Sequence, residues 1–232
     1  MRTAFKVLFA AVVLAAPAAA LVPYIQGGLG DVGHGDWLWT APPQEPEYFV
    51  TRFGSTWELG GGLSWDIAQF RQPSITPTLS LDTEANFYRK RGEWPYGDLE
   101  GWQQTFNVFS VTETLVLRLR IPVLSRLVTP YVGAGGGVSV APSSISRMEG
   151  FPNPSHGGYY EDSVVGIVPT YTVPFGVEIT LTPQNTIYAR FGPLAPSGKV
   201  TYEYLTSAGD TVTVESEIPN AFLVLVGYRF GI

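Results

Sequence analysis

Residues 56–67 read TWELGGGLSWDI. Trp57, Leu59, Gly61, Leu63, Trp65 and Ile67 share one parity; Glu58, Gly60, Gly62, Ser64 and Asp66 share the other. A period of two is the signature of a β-strand whose two faces meet different surroundings. The two tryptophans stand eight residues apart on the apolar face. At about 3.3 Å per residue that is about 26 Å of strand, or roughly 20 Å of depth at a tilt near 40°. Paired aromatic groups at that separation fit the two girdles around the apolar band of a membrane-spanning barrel, about 25 Å tall.

The same alternation recurs along the chain. In 76–88, Leu79, Leu81, Thr83, Ala85 and Phe87 oppose Ser80, Asp82, Glu84, Asn86 and Tyr88. In 111–121, Leu115, Leu117, Leu119 and Ile121 oppose Thr112, Thr114, Val116, Arg118 and Arg120. In 169–182, Tyr171, Val173, Phe175, Val177, Ile179 and Leu181 oppose Thr172, Pro174, Gly176, Glu178 and Thr180. Weaker strands are expected near 23–30, 128–140 and 185–192, and the last runs through LVGYRFGI to Ile232. There Phe222, Val224, Val226, Tyr228 and Phe230 oppose Leu225, Gly227 and Arg229. The reading is eight strands in one all-β domain, an antiparallel up-and-down transmembrane β-barrel.

The connections after strands two, four and six are short: QFRQPS, PVLSR and PQN. Those after strands one, three, five and seven are long, as in GHGDWLWTAPPQEPEY, and read as loops. The seventh is expected to carry a hairpin, VTYEYL and TVTVES around TSAGD. An even strand number puts both termini at one rim.

The first 20 residues, MRTAFKVLFAAVVLAAPAAA, have a positive start, a short apolar run and small residues at Ala18–Ala20. They read as a secretory signal peptide, leaving the barrel at 21–232. The chain has no cysteine, which excludes disulfides, zinc–thiolate centres and thiol nucleophiles. Without Arg2 and Lys6, 12 basic residues face 20 acidic ones, a net charge of about −8. A nucleic-acid partner is therefore not expected, because that needs a basic face.

Alternation alone does not say which face meets lipid. A soluble barrel of the lipocalin kind would turn its apolar parity inward and cover its outside with lysine and glutamate. Here the polar parity of the strands holds glycines and no lysine, and the aromatic pair of 57 and 65 repeats at 222 and 230. The apolar parity therefore faces lipid, with Trp57, Trp65, Tyr171, Phe222, Tyr228 and Phe230 as the girdle. The lumen then collects Glu58, Asp66, Asp82, Glu84, Arg118, Arg120, Glu178, Arg190 and Arg229. Such a narrow interior excludes nearly all water, so these charges must pair. Glycines at 60, 62, 133, 135, 137 and 176 would give their long side chains room. Glu113 falls on the lipid parity and is expected at the outer rim or beside a bulge.

The segment TPYVGAGGGVSV at 129–140 and the ending LVGYRFGI carry a resemblance. The chain resembles the eight-stranded outer-membrane barrels of the OmpA-like transmembrane-domain superfamily, without a peptidoglycan-binding domain. The resemblance implies the outer membrane of a Gram-negative bacterium, periplasmic termini, and contact with outer-membrane lipid and lipopolysaccharide. It also implies a last-strand signal read by the barrel insertion machinery, which maps to Gly227, Phe230 and Ile232. The family usually ends on phenylalanine and has a polar residue where this chain has Leu225.

Gly28, Gly30 and Gly33 form a nominal GxGxxG, but HGDWLWTAPPQ cannot start the helix a dinucleotide site needs. His34 and His156 fall in long connections at spacings diagnostic of no hydrolase, acyltransferase or metal site. No catalytic, cofactor or metal site is expected. The leading expectation is a charge-plugged barrel whose long loops bind a surface ligand or support the envelope. A narrow channel for small solutes and a lipid-modifying enzyme are the alternatives.

Overall fold

The computed structural model describes residues 21–32, 34–40, 47–70, 75–93, 102–121, 128–147, 161–182, 184–205 and 211–230. The expected signal peptide at 1–20, His156 and Ile232 lie outside them. Among the described residues all regular structure is β. The strands are β1 (Val22–Val32), β2 (His34–Thr40), β3 (Glu47–Phe53), β4 (Thr56–Gln69), β5 (Thr76–Glu93) and β6 (Trp102–Arg120). They continue with β7 (Val128–Arg147), β8 (Glu161–Thr172), β9 (Phe175–Thr182), β10 (Asn185–Pro196), β11 (Lys199–Leu205), β12 (Thr211–Glu217) and β13 (Ala221–Phe230).

Eight strands close a ring in the order β1, β4, β5, β6, β7, β8–β9, β10, β13, every contact antiparallel. β8 and β9 count as one wall strand, because both keep a single register against β7 (Gly135 opposite Thr172, Val132 opposite Phe175). Val173 and Pro174 interrupt it. A proline there has no N–H for the ladder, but its carbonyl accepts from Gly133 N at 2.7 Å. Gly192, at φ 144°, lies against this break, where an added Cβ would strike the Val173 carbonyl.

Register fixes the geometry of the tube. From Val22 the partners run Ser64, Asp82, Thr114, Gly135, Thr172, Leu194, Ala221 and back to β1 at Val32. The return is staggered by about ten residues, which tilts the strands by roughly 40° and leaves an interior that side chains can fill.

The wall also rises beyond the ring. β2 and β3 pair as a hairpin above β1 and β4; β11 and β12 pair above β10 and β13; β12 then pairs β2. The seventh connection thus carries its expected hairpin, whereas the first, read as a loop, is a hairpin too. β5, β6 and β7 also run well past their expected ends. The reason is chemical. On β11 and β12 the outward positions turn polar (Lys199, Thr201, Glu203, Glu215, Glu217) while Val200, Tyr202, Val214 and Ile218 stay inward and buried. Pairing therefore continues as in a water-exposed sheet folded around its own core.

Candidate functional site: the closed lumen

The interior holds three tiers. At the rim where β1 begins and β13 ends, Arg118 bridges two acids. Its Nη2 donates to Asp82 at 2.7 Å and its Nε to Glu178 at 2.9 Å. Arg229 repeats the bridge from the opposite wall, 3.1 Å from Asp82 and 3.4 Å from Glu178. Ser64 adds a hydroxyl donor to Asp82 at 2.5 Å. Just above, Glu84 accepts from Arg190, from the Tyr24 hydroxyl at 3.0 Å and from Asn86. Gln26 links Asn86 (2.9 Å) to the Tyr188 hydroxyl (3.0 Å). The Arg229 guanidinium lies over the rings of Tyr24 and Tyr188, and Arg118 faces Tyr131.

Glycines make this packing possible. Tyr24, Tyr131 and Tyr188 stand directly opposite Gly62, Gly176 and Gly227 on the neighbouring strands. Each ring lies across its glycine, where a Cβ would overlap it. Between these rings and Asp82, Arg190 and Arg229 the remaining gap is about 10 Å³. That is no more than one water needs.

The second tier is apolar: Leu194, Leu223, Leu225, Val108, Phe106, Ala141, Val168 and Ile218 form one buried cluster. Leu225, the departure from the family's polar position, is fully buried in it. The third tier caps this core between the hairpins. Gln104 donates to Tyr202 at 3.1 Å and to Ser143 at 3.3 Å, and accepts from Ser216 at 3.0 Å. Lys90 Nζ reaches across to the carbonyls of Pro219 and Asn220, both at 2.6 Å.

The outside is the reverse. Leu29, Leu59, Val111, Leu115, Val132, Val138, Ile179, Val224 and Val226 are all exposed. Trp57, Phe87 and Phe109 form an aromatic row at one edge of this belt, with centroids 5.5 and 4.6 Å apart. Tyr228 and Phe230 pack at 4.7 Å at the other edge, and Trp65 is partly exposed on the same outward face. Tyr171 and Phe222 are half exposed on the same outward face. An apolar exterior around a polar and sealed interior is stable only in lipid. The chain is an eight-stranded transmembrane β-barrel.

No family model and no curated protein matches the sequence. Among solved structures the barrel is similar to OprG of Pseudomonas aeruginosa, at 14% identity over 92% of this chain and 97% of that one, TM-score 0.46. It is also similar to Neisserial surface protein A (11% identity, 90% and 97% covered, TM-score 0.38). A third is the outer-membrane protease OmpT of Escherichia coli (8% identity, 91% and 97% covered, TM-score 0.46). At these values the likeness concerns strand arrangement and says nothing of ligand or activity.

Several sequence expectations are corrected in this barrel. Asp66 and Arg120 do not join the sealed network. They pair with each other at 3.0 Å at the open mouth, both more than a third exposed. Glu58 is 2% exposed, yet neither carboxyl oxygen has a hydrogen-bond partner, so not every lumen charge pairs. A lysine does enter the lumen, since β5 runs on past Tyr88 and turns Lys90 inward. Glu113 lies at no rim and beside no bulge; it faces outward in mid-strand, where β6 pairs β5 without a register shift. His34 opens β2 opposite Arg52 and is not in a loop. The inward tyrosines and the amide–hydroxyl cap escaped sequence reading, although Tyr24, Tyr131 and Tyr188 all fall on the glycine-bearing parity.

Proposed function

We propose that the protein is a non-conducting barrel of the outer membrane whose role lies in what its elevated hairpins bind. The carrying observation is the closed lumen. The cavity of about 250 Å³ at the terminal rim, lined by Asp66, Arg118, Arg120, Glu178 and Arg229 among others, is a dead end below the tyrosine–arginine layer. A solute would have to displace that layer and then the apolar tier. Both are continuous with the wall that holds the barrel shut, so passage and folding oppose each other.

In this reading both termini face the periplasm and the β2–β3 and β11–β12 hairpins stand on the cell surface. A rigid, water-facing sheet over a plugged tube suits presentation of a binding surface. Lipid and lipopolysaccharide surround the belt. The insertion machinery reads the last strand through Gly227, Phe230 and Ile232.

Planar-bilayer recording tests the plug. The expectation is no unitary conductance from the folded protein. Reproducible unitary events altered by Arg118→Ala or Glu58→Ala would overturn it in favour of a narrow channel. Orientation has its own test: an epitope placed after Phe230 should resist protease in intact cells, and one inserted at the β11–β12 turn should be cleaved.

A further inference from the structure

The lipid-facing belt is not even. Where β1 runs between β4 and β13 it holds a hollow of about 410 Å³, lined by Ile25, Gly27, Leu59, Ile187, Val226 and Tyr228 among others. Ile25, Leu59 and Val226 are each more than half exposed, so their side chains stand up as its walls. Gly27 is its floor. It stands directly between Leu59 and Val226, on the outward parity of β1.

A glycine inside a strand weakens the strand, and it often marks the close approach of another backbone or of a ligand. The outward glycines of the belt divide on this point. An added Cβ at Gly61 would come within 2.8 Å of the Tyr24 carbonyl oxygen, and one at Gly136 within 3.3 Å of that of Thr170. At Gly27 it would meet only the Glu58 carbonyl oxygen at 3.4 Å and Leu59 Cδ1 at 3.8 Å, which are ordinary contacts. A larger side chain fits there, so the packing of the protein itself does not require the hollow.

Position and charge indicate what fills it. Tyr228 and Phe230 mark one aromatic edge of the belt. By register and tilt the hollow climbs roughly 10 Å from Tyr228 to Leu59, and Gly27 lies close to the middle of a band about 25 Å tall. The hollow therefore spans one leaflet of the bilayer. Around it, Ile25, Trp65, Ile67, Ile187 and Phe230 leave this edge without an outward charge among the described residues. A multiply phosphorylated headgroup would find no outward cation to pair with there. A phospholipid needs none, and the Tyr228 hydroxyl can donate to its phosphate or ester oxygens.

We propose that this hollow is a binding site for one phospholipid, with an acyl chain laid over Gly27 between Leu59 and Val226 and the headgroup at Tyr228. Exchanging one acyl chain for another in lipid gains nothing from the hydrophobic effect, so the preference comes from fit. Walls on both sides of the chain supply dispersion contacts that a flat belt lacks. The site rests on the lipid-facing belt alone and not on the plug, so a conducting lumen would leave it standing.

The barrel is reconstituted in vesicles of phosphatidylethanolamine and phosphatidylglycerol, extracted in mild detergent and weighed intact by native mass spectrometry. One retained phospholipid per folded barrel is expected. Gly27→Leu fills the hollow from its floor and Val226→Phe closes it from the side; each should cut the retained fraction about tenfold. Ala134→Leu adds bulk to the outward face of β7, across the ring, and should leave retention unchanged. Heat-dependent gel mobility verifies that each variant is folded. With lipopolysaccharide added to the vesicles, phospholipid should remain the lipid retained. No lipid held by the wild type, retention indifferent to both substitutions, an equal loss in Ala134→Leu, or lipopolysaccharide held in place of phospholipid would overturn the proposal.

Discussion

At the scale of single residues, the lumen sorts its acids into two kinds. Asp82 receives Arg118, Arg229 and Ser64, so removing its charge leaves two buried guanidinium groups to share Glu178. Asp82→Asn should lower unfolding stability by about 3–5 kcal/mol, the usual cost of breaking a buried pair. Glu58 has no such partner. Glu58→Gln should therefore leave stability unchanged or raise it. Denaturant titration followed by the folded-form mobility on gels measures both. Equal losses would mean that Glu58 is held by groups other than those described.

Tyr188 and Gly227 form a second residue pair, opposite each other with the ring across the glycine. Gly227→Ala should reduce the folded fraction, because the ring must move. Adding Tyr188→Ala should restore part of it, the coupling expected of residues in contact. If the double variant folds no better than Gly227→Ala alone, the glycine matters for reasons other than space.

At the scale of elements, the strands change character along their length. Within the belt β6 is apolar outside except at Glu113, and mixed inside. Above Phe109 it is polar outside (Asn107, Thr105, Gln103) and apolar inside (Val108, Phe106). The boundary marks where lipid gives way to water. The upper segments thus behave as a soluble sheet with its own core. Phe106→Ala or Tyr202→Ala, each emptying a fully buried site, should cost about 3–5 kcal/mol. Limited proteolysis should then cut β11–β12 while the ring stays protected. This transition was visible in the sequence in part. VTYEYL and TVTVES read as a hairpin because their alternation is strong. HGDWLWT and EYFVTRF read as loop, because a short apolar run between glycine and proline clusters has no mark of its own without its partner strands.

At the scale of the whole molecule, one tube has two solvents outside and none inside. Its register stagger sets a bore that side chains fill, and charge, apolar and amide tiers fill it in turn. The protein should fractionate with the outer membrane and shift in gel mobility on boiling. A freely soluble product would contradict the lipid-facing belt. The strand parity and the division of the wall into an apolar and a mixed face were legible in the sequence. A period of two assigns each side chain to a face locally, whatever the rest of the chain does.

What the sequence by itself determined is therefore the ring: which segments form its wall, which face meets lipid, and which parity turns inward. Tertiary structure alone decided who meets whom across that interior. Asp66 and Arg120 fall at the mouth, Glu58 goes without a partner, Lys90 clasps the turn at Pro219, and Glu113 reaches the middle of the belt. Parity gives a side and not a height. Height follows from the stagger of the whole closed sheet, which no single strand contains.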